Sequence, residues 1–154
     1  MRTLKTLFAV SLLSLGLAGV SHAALYMDTN LDLKHISSSD SVPYENTFEL
    51  KNFNPATEEI TEASVFFTFF ANKFDGTRDM VTISVGIDTI LTNGVLSMVD
   101  WAWGKLTGSL AALNKDGKLT YTVSATRGDV FLATSTLVAK SEARRVPDTS
   151  FTLA

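Results

Sequence analysis

The chain has no cysteine, only two histidines, three prolines and two tryptophans in 154 residues. Without cysteine, disulfides, thiolate metal sites and thiol catalysis are excluded, and stability must come from packing alone. Only one histidine, His35, lies outside the N-terminal leader described below, which leaves little for a metal centre or a Ser-His-Asp triad. The nucleophile-elbow pattern Gly-x-Ser-x-Gly is missing as well. Basic residues number 13 against 16 acidic ones, with no long run of either sign. Nucleic-acid binding relies on a basic face that neutralises phosphates, so it is disfavoured.

The first segment reads as export machinery. Arg2 and Lys5 give a positive start, Leu7 to Val20 run apolar apart from Ser11, Ser14 and two glycines, and Ser21-His22-Ala23 closes the segment with small residues. This is the pattern of a signal-peptide helix cleaved between Ala23 and Ala24, with the Sec translocon and signal peptidase as partners. A membrane span needs about 20 apolar residues, and this run is shorter, so the mature chain is not expected to span a membrane. Cleavage takes 23 of the 154 residues and leaves 131, enough for one domain with a real core. With Arg2 and Lys5 gone, 11 basic residues face 16 acidic ones, a net charge of −5.

Beyond Ala24 the hydrophobic period is two. Tyr44, Phe48 and Leu50 fall on one side of a strand and Glu45, Thr47 and Glu49 on the other. Asn52-Phe53-Asn54-Pro55 ends it. Ala63 to Phe70 is apolar on both faces and reads as a central strand, followed by a loop over Asn72 to Asp79. Val81, Ile83, Val85 and Ile87 then alternate with polar residues or glycine, and this strand is expected to pair with the one before it. Asn93-Gly94 is a hairpin-turn signal, with Val95 to Trp103 as the next strand. Leu106, Leu110 and Leu113 have helical spacing and predict one short helical turn before Asp116-Gly117. Leu119 to Thr126 alternates most cleanly, Arg127-Gly128-Asp129 turns the chain, and Val130 to Lys140 is expected to be its hairpin partner. Leu25 to Leu33 adds an edge strand, and His35 to Pro43 is a serine-rich loop. The prediction is an all-β domain: an antiparallel β-sandwich, jelly-roll or Ig-like, of six to eight strands with one short helical turn. Residues 1–23 are its signal peptide, 24–143 its sandwich and 144–154 a tail.

That tail, Ala143-Arg144-Arg145-Val146-Pro147-Asp148-Thr149-Ser150 and onward to Ala154, resembles the opening of a bacterial C-terminal sorting signal. The family is the PEP-CTERM class, in its variant beginning Val-Pro-Asp (VPDSG-CTERM). The resemblance implies that an exosortase recognises Val146, Pro147 and Asp148. It also implies a hydrophobic helix and a basic cluster to follow, an anchor truncated at Ala154. Phe53-Asn54-Pro55 with the segment to Ile60, Asp116-Gly117-Lys118-Leu119 and Gly128-Asp129-Val130-Phe131 look like the β ectodomains such proteins carry. The resemblance implies a secreted, periplasmic or cell-surface sandwich without an assigned activity.

Candidate chemistry is sparse, and no catalytic residue and no cofactor are assigned. His35 with Ser37, Ser38, Ser39 and Asp40 is the one place where a base, hydroxyls and a carboxylate lie close in sequence, and its plainer reading is a solvated loop. Glu58, Glu59 and Glu62 are the densest carboxylates, as glycoside hydrolysis requires, but they follow Pro55 at a turn and their plainer reading is a strand edge kept wet. Asp75 and Asp79 are weak calcium candidates, since calcium takes six to eight oxygens and Lys73 and Arg78 sit beside them. Arg127-Gly128-Asp129 reads as a turn rather than an adhesion motif. Trp101 and Trp103, two apart on a strand, project from one face. They either fill the core, the commoner role of large aromatics, or form a platform for sugar rings of an extracellular polysaccharide. The leading expectation is therefore an exported, non-enzymatic surface protein, with a carbohydrate-binding module as the alternative.

Overall fold

The computed structural model describes residues 23–71 and 78–144. Eight strands are present: β1 (Ala24–Ser37), β2 (Tyr44–Glu49), β3 (Glu58–Ala71), β4 (Met80–Val85), β5 (Asp88–Val95), β6 (Val99–Leu106), β7 (Lys118–Arg127) and β8 (Asp129–Ala143). Among the described residues one helix, α1 (Leu110–Asp116), precedes β7. The strands form two four-stranded antiparallel sheets, ordered β1-β8-β3-β6 and β2-β7-β4-β5. Successive strands mostly alternate between sheets, and the first lies beside the last: this is the jelly-roll order of a sandwich.

Period-two alternation decides which side chains meet between the sheets. From the first sheet come Ala63, Val65, Phe67 and Phe69 of β3 and Leu132 and Leu137 of β8; from the second come Phe48, Val81, Ile83, Val85, Tyr121 and Val123, all buried. Phe48, Phe67 and Tyr121 form an aromatic knot across the interface, with centroids 4.4 to 6.4 Å apart. Apolar burial of this kind contributes about 25 cal/mol per Å² and, without disulfides, is the main support of the fold.

The helix is short and held through its C-terminal half. Gly117, at φ 74, caps its C-terminus with an N–H donated to the Leu113 carbonyl. Asn114 donates to the Ile60 carbonyl at 3.0 Å and accepts from the Ile60 N–H at 2.6 Å. It thereby satisfies backbone groups where Thr61 is an extra residue in β3.

Three local expectations give way to the structure. Ala63–Phe70 and the strand from Val81 do not pair: β3 lies between β8 and β6, whereas β4 lies between β7 and β5 in the other sheet. Likewise β8 does not return beside β7 but crosses to the first sheet, against β1 and β3. A turn residue marks where a chain reverses but not which sheet it joins. Asn93-Gly94 is not a hairpin turn; both residues lie inside β5, where Asn93 at φ 48 accompanies a register shift against β4. The left-handed backbone that Asn favours serves a bulge as readily as a turn. The β4–β5 reversal uses Gly86 instead, at φ 57.

At Gly128, φ 70 between β7 and β8, glycine is also required, because an added Cβ would overlap the Asp79 carboxylate. Gly128→Ala is expected to cost about 2–4 kcal/mol from left-handed strain plus overpacking. A midpoint within about 2 °C of the parent in thermal unfolding would contradict this.

Candidate surface of the first sheet

Strand β6 is an edge strand whose inward positions hold Ala102 and Leu106, so alternation sends Val99, Trp101, Trp103 and Lys105 outward. Trp101 is 72 % exposed and Trp103 65 % exposed, which overturns the expectation that they fill the core. Asp100 fixes the entry to this strand, accepting from the N–H groups of Ser97 and Trp101 at 2.9 Å.

The next strands continue the surface. Register places Phe66 opposite Trp103, Thr68 opposite Trp101 and Phe70 opposite Val99. On the far side of β3, Phe66 faces Thr136, Thr68 faces Thr134 and Phe70 faces Phe131. Beyond β8, Thr136 meets Thr29 and Thr134 meets Leu31 of β1. The Phe66 and Trp103 rings lie near-parallel with centroids 6.3 Å apart, and Phe70 and Phe131 are also 6.3 Å apart. Thr29 and Thr136 hydroxyls share a hydrogen bond of 3.0 Å.

The outer face is thus a field of aromatic rings and threonine hydroxyls, with aliphatic side chains of β1 along one margin. Charge is confined to its ends. Lys105, Lys140 and Glu62 stand at one end; His35 and Asp129 pair at 3.9 Å at the other. The two rows between, Leu31–Thr134–Thr68–Trp101 and Thr29–Thr136–Phe66–Trp103, contain no charged residue. Beside this face, a groove of about 330 Å³ separates β5 from β6, lined by Ile90, Leu91, Val95 and Leu96 together with the two tryptophans.

Other candidates disperse. His35 ends in β1 and faces Asp129, while Ser37 bonds Ser39 and its N–H donates to Asp40. Base and hydroxyl are not brought together there, although a hollow of about 400 Å³ opens beside them, lined by Lys34, His35, Asp40, Val42, Pro43 and Tyr44. Glu58 accepts from Tyr26 at 2.6 and 2.7 Å and from Ser141 at 2.8 Å, a structural clasp inside the sheet rather than a wet edge. Asp79 is buried, with Oδ1 accepting from the Asp129 N–H at 3.3 Å and no donor among the described residues reaching Oδ2. Asp75 lies outside the described residues, among which no group of three or more His, Asp or Glu is placed to hold a metal ion. Val146, Pro147, Asp148 and the leader up to residue 22 also lie outside them. Ala23 precedes β1, and Ala24 is its first residue.

A polar cluster that the sequence did not announce sits between the sheets beside β1. Asp32 Oδ1 accepts from Tyr121 at 2.7 Å, Tyr44 at 2.9 Å and Asn46 at 3.1 Å, and Oδ2 accepts from Ser135 at 2.7 Å. Burial and the Asp32 carboxylate push the Tyr44 phenol up to about 12. Tyr121 is pushed up too, by burial first, with Asp32 adding to it and the Ser135 hydroxyl opposing.

No protein-family model matches the sequence, and no curated protein does. Among solved structures, the tobacco streak virus coat protein, determined at 2.1 Å in a C2 crystal form, aligns at 15% identity over 91% of this chain and 99% of that chain, with a TM-score of 0.40.

Proposed function

We propose that this chain is an exported, non-catalytic jelly-roll domain that holds a polysaccharide outside the cell through the outer face of the β1-β8-β3-β6 sheet. The exposure of Trp101 and Trp103 on a face with two further exposed phenylalanines carries this reading. Large aromatic rings left in water cost hydration free energy, and the apolar faces of sugar rings stack on them favourably. Export is supported by the leader pattern and by its end at Ala24, where β1 begins, so cleavage there removes nothing from the sandwich. No helix among the described residues is long and apolar enough to cross a membrane. Surface retention is assigned to Val146, Pro147 and Asp148 through an exosortase.

In polysaccharide pull-downs, Trp101→Ala and Trp103→Ala are each expected to weaken retention about tenfold, with the unfolding midpoint moving by no more than about 3 °C. Retention indifferent to both changes would remove the platform. A protein found in the cytoplasm on fractionation, with its leader intact, would remove the export half of the proposal.

A further inference from the structure

We infer that the polysaccharide recognised is the ordered face of an insoluble, neutral polymer rather than one soluble chain, an inference that rests on the proposed polysaccharide-binding role. The aromatic side chains are spread in two dimensions. Trp101 and Trp103 stand on β6, Phe66 and Phe70 on β3, and Phe131 on β8. Across three strands this spans roughly 10 Å, and from Phe66 to Phe70 along β3 about 13 Å. A single glycan chain, one ring wide, cannot lie over all five of these rings at once. Several chains lying side by side can.

The relief of the surface points the same way. Sites for single flexible ligands are concave and bury most of the ligand, because only enclosure repays the cost of ordering it. Here the outward centre consists of the half-buried Thr68, Thr134 and Thr136, and the two hollows on this side, the groove beside Trp101 and Trp103 and one of about 170 Å³ by Leu25, Glu62, Val138 and Lys140, lie at its margins. A flat face touches only one side of its ligand, and that suffices when neighbouring chains have already fixed the ligand's conformation.

Charge and hydroxyls select the chemistry. The two central rows are uncharged, and the mature net charge of −5 repels acidic glycans. The half-buried hydroxyls of Thr29, Thr68, Thr134 and Thr136 sit among the rings. A purely apolar partner would desolvate them without providing hydrogen bonds, whereas a neutral sugar offers its own hydroxyls as donors and acceptors. Those observations favour a neutral polysaccharide surface over a purely apolar partner.

The test is depletion binding of the purified protein to microcrystalline cellulose and to crystalline chitin, beside titration with the soluble hexasaccharide of each and with alginate. Expected are retention on at least one of the insoluble polymers, at least about tenfold weaker affinity for its hexasaccharide, and no binding to alginate. Phe70→Ala and Phe131→Ala, on the neighbouring strands β3 and β8, are expected to reduce retention about three- to tenfold. Thr68→Glu, which keeps every ring but places a charge in the centre, is expected to do the same or more. Hexasaccharide binding as tight as polymer binding, or retention that needs Trp101 yet ignores Phe70→Ala, Phe131→Ala and Thr68→Glu, overturns this inference and leaves the broader polysaccharide role standing. Tight alginate binding overturns the assignment to neutral polymers. No retention on any polymer and no binding to any oligosaccharide overturns both. If sedimentation then shows a dimer that Trp101→Ala dissociates, a second copy is the occupant.

Discussion

In a near-ultraviolet titration, the native protein is expected to show no tyrosinate at pH 10, where free tyrosine is half ionised. Absorbance should rise only as the pH approaches about 12. All three tyrosines of the chain contribute: Tyr26, Tyr44 and Tyr121. For Tyr26, burial is the largest cause and the hydrogen bond to the Glu58 carboxylate the next, and together they push the phenol up to about 12. For Tyr44 the same order holds, with Asp32 in place of Glu58. In each case the folded protein holds the neutral phenol more firmly than the unfolded chain does. The stability this contributes is therefore fully present below pH 10, the unfolded value, and is lost as the pH rises through about 12. Asp32→Asn is expected to lower the onset for Tyr44 while leaving it above 10, because burial, the larger cause, remains. A stepwise titration beginning at pH 10, with the β-sheet circular dichroism unchanged, would show that the phenols are neither buried nor bound to carboxylates.

Phe67→Ala is expected to cost about 4 kcal/mol, the largest effect of any single truncation proposed for this chain. Phe67 is fully buried, and its ring touches both Tyr121, edge-on at 5.4 Å, and Phe48. Removing it opens a cavity between two sheets whose backbones are fixed by their ladders and cannot collapse to fill it. For a domain of this size the thermal midpoint should fall by roughly 15 °C. Phe66→Ala, one residue earlier, is the internal control. Its side chain lies on the opposite face, 43 % exposed, and should cost only about 1 kcal/mol. Equal losses from the two would mean that the outer face is covered in the folded protein, and would redirect attention to a partner copy.

Most of the fold was legible because each strand carries its own evidence of which face is wet. Leu119 to Thr126, Tyr44 to Leu50 and the glycine after Asp116 all lie where the pattern puts them. What alternation does not encode is partnership. The outward residues of β3 read as a second buried face because Phe66 and Phe70 are as apolar as Phe67 and Phe69. Only the three-dimensional arrangement reveals that no layer among the described residues covers them. The tryptophans, judged by type, pointed to the core, but their position beside the inward Ala102 decides otherwise. The Asp32 cluster escaped notice for a different reason. Its members, Tyr44, Asn46, Tyr121 and Ser135, are scattered along the chain and meet only when β1, β2, β7 and β8 assemble. The bulges in β1 and β8, beside Leu33 and Ala133, shift the inward phase of the strands and are likewise silent in the pattern.

Among the described strands only β4 and β5 are neighbours both in sequence and within a sheet, and Ala24, at the start of β1, lies opposite Ser141 in β8. Neither half of the polypeptide can therefore close a core by itself, and the first sheet has no centre until Asp129–Ala143 is available. Topologies dominated by such distant pairings fold in milliseconds to seconds rather than microseconds. A nascent chain emerging N-terminus first therefore cannot close its core until Asp129–Ala143 has been synthesised.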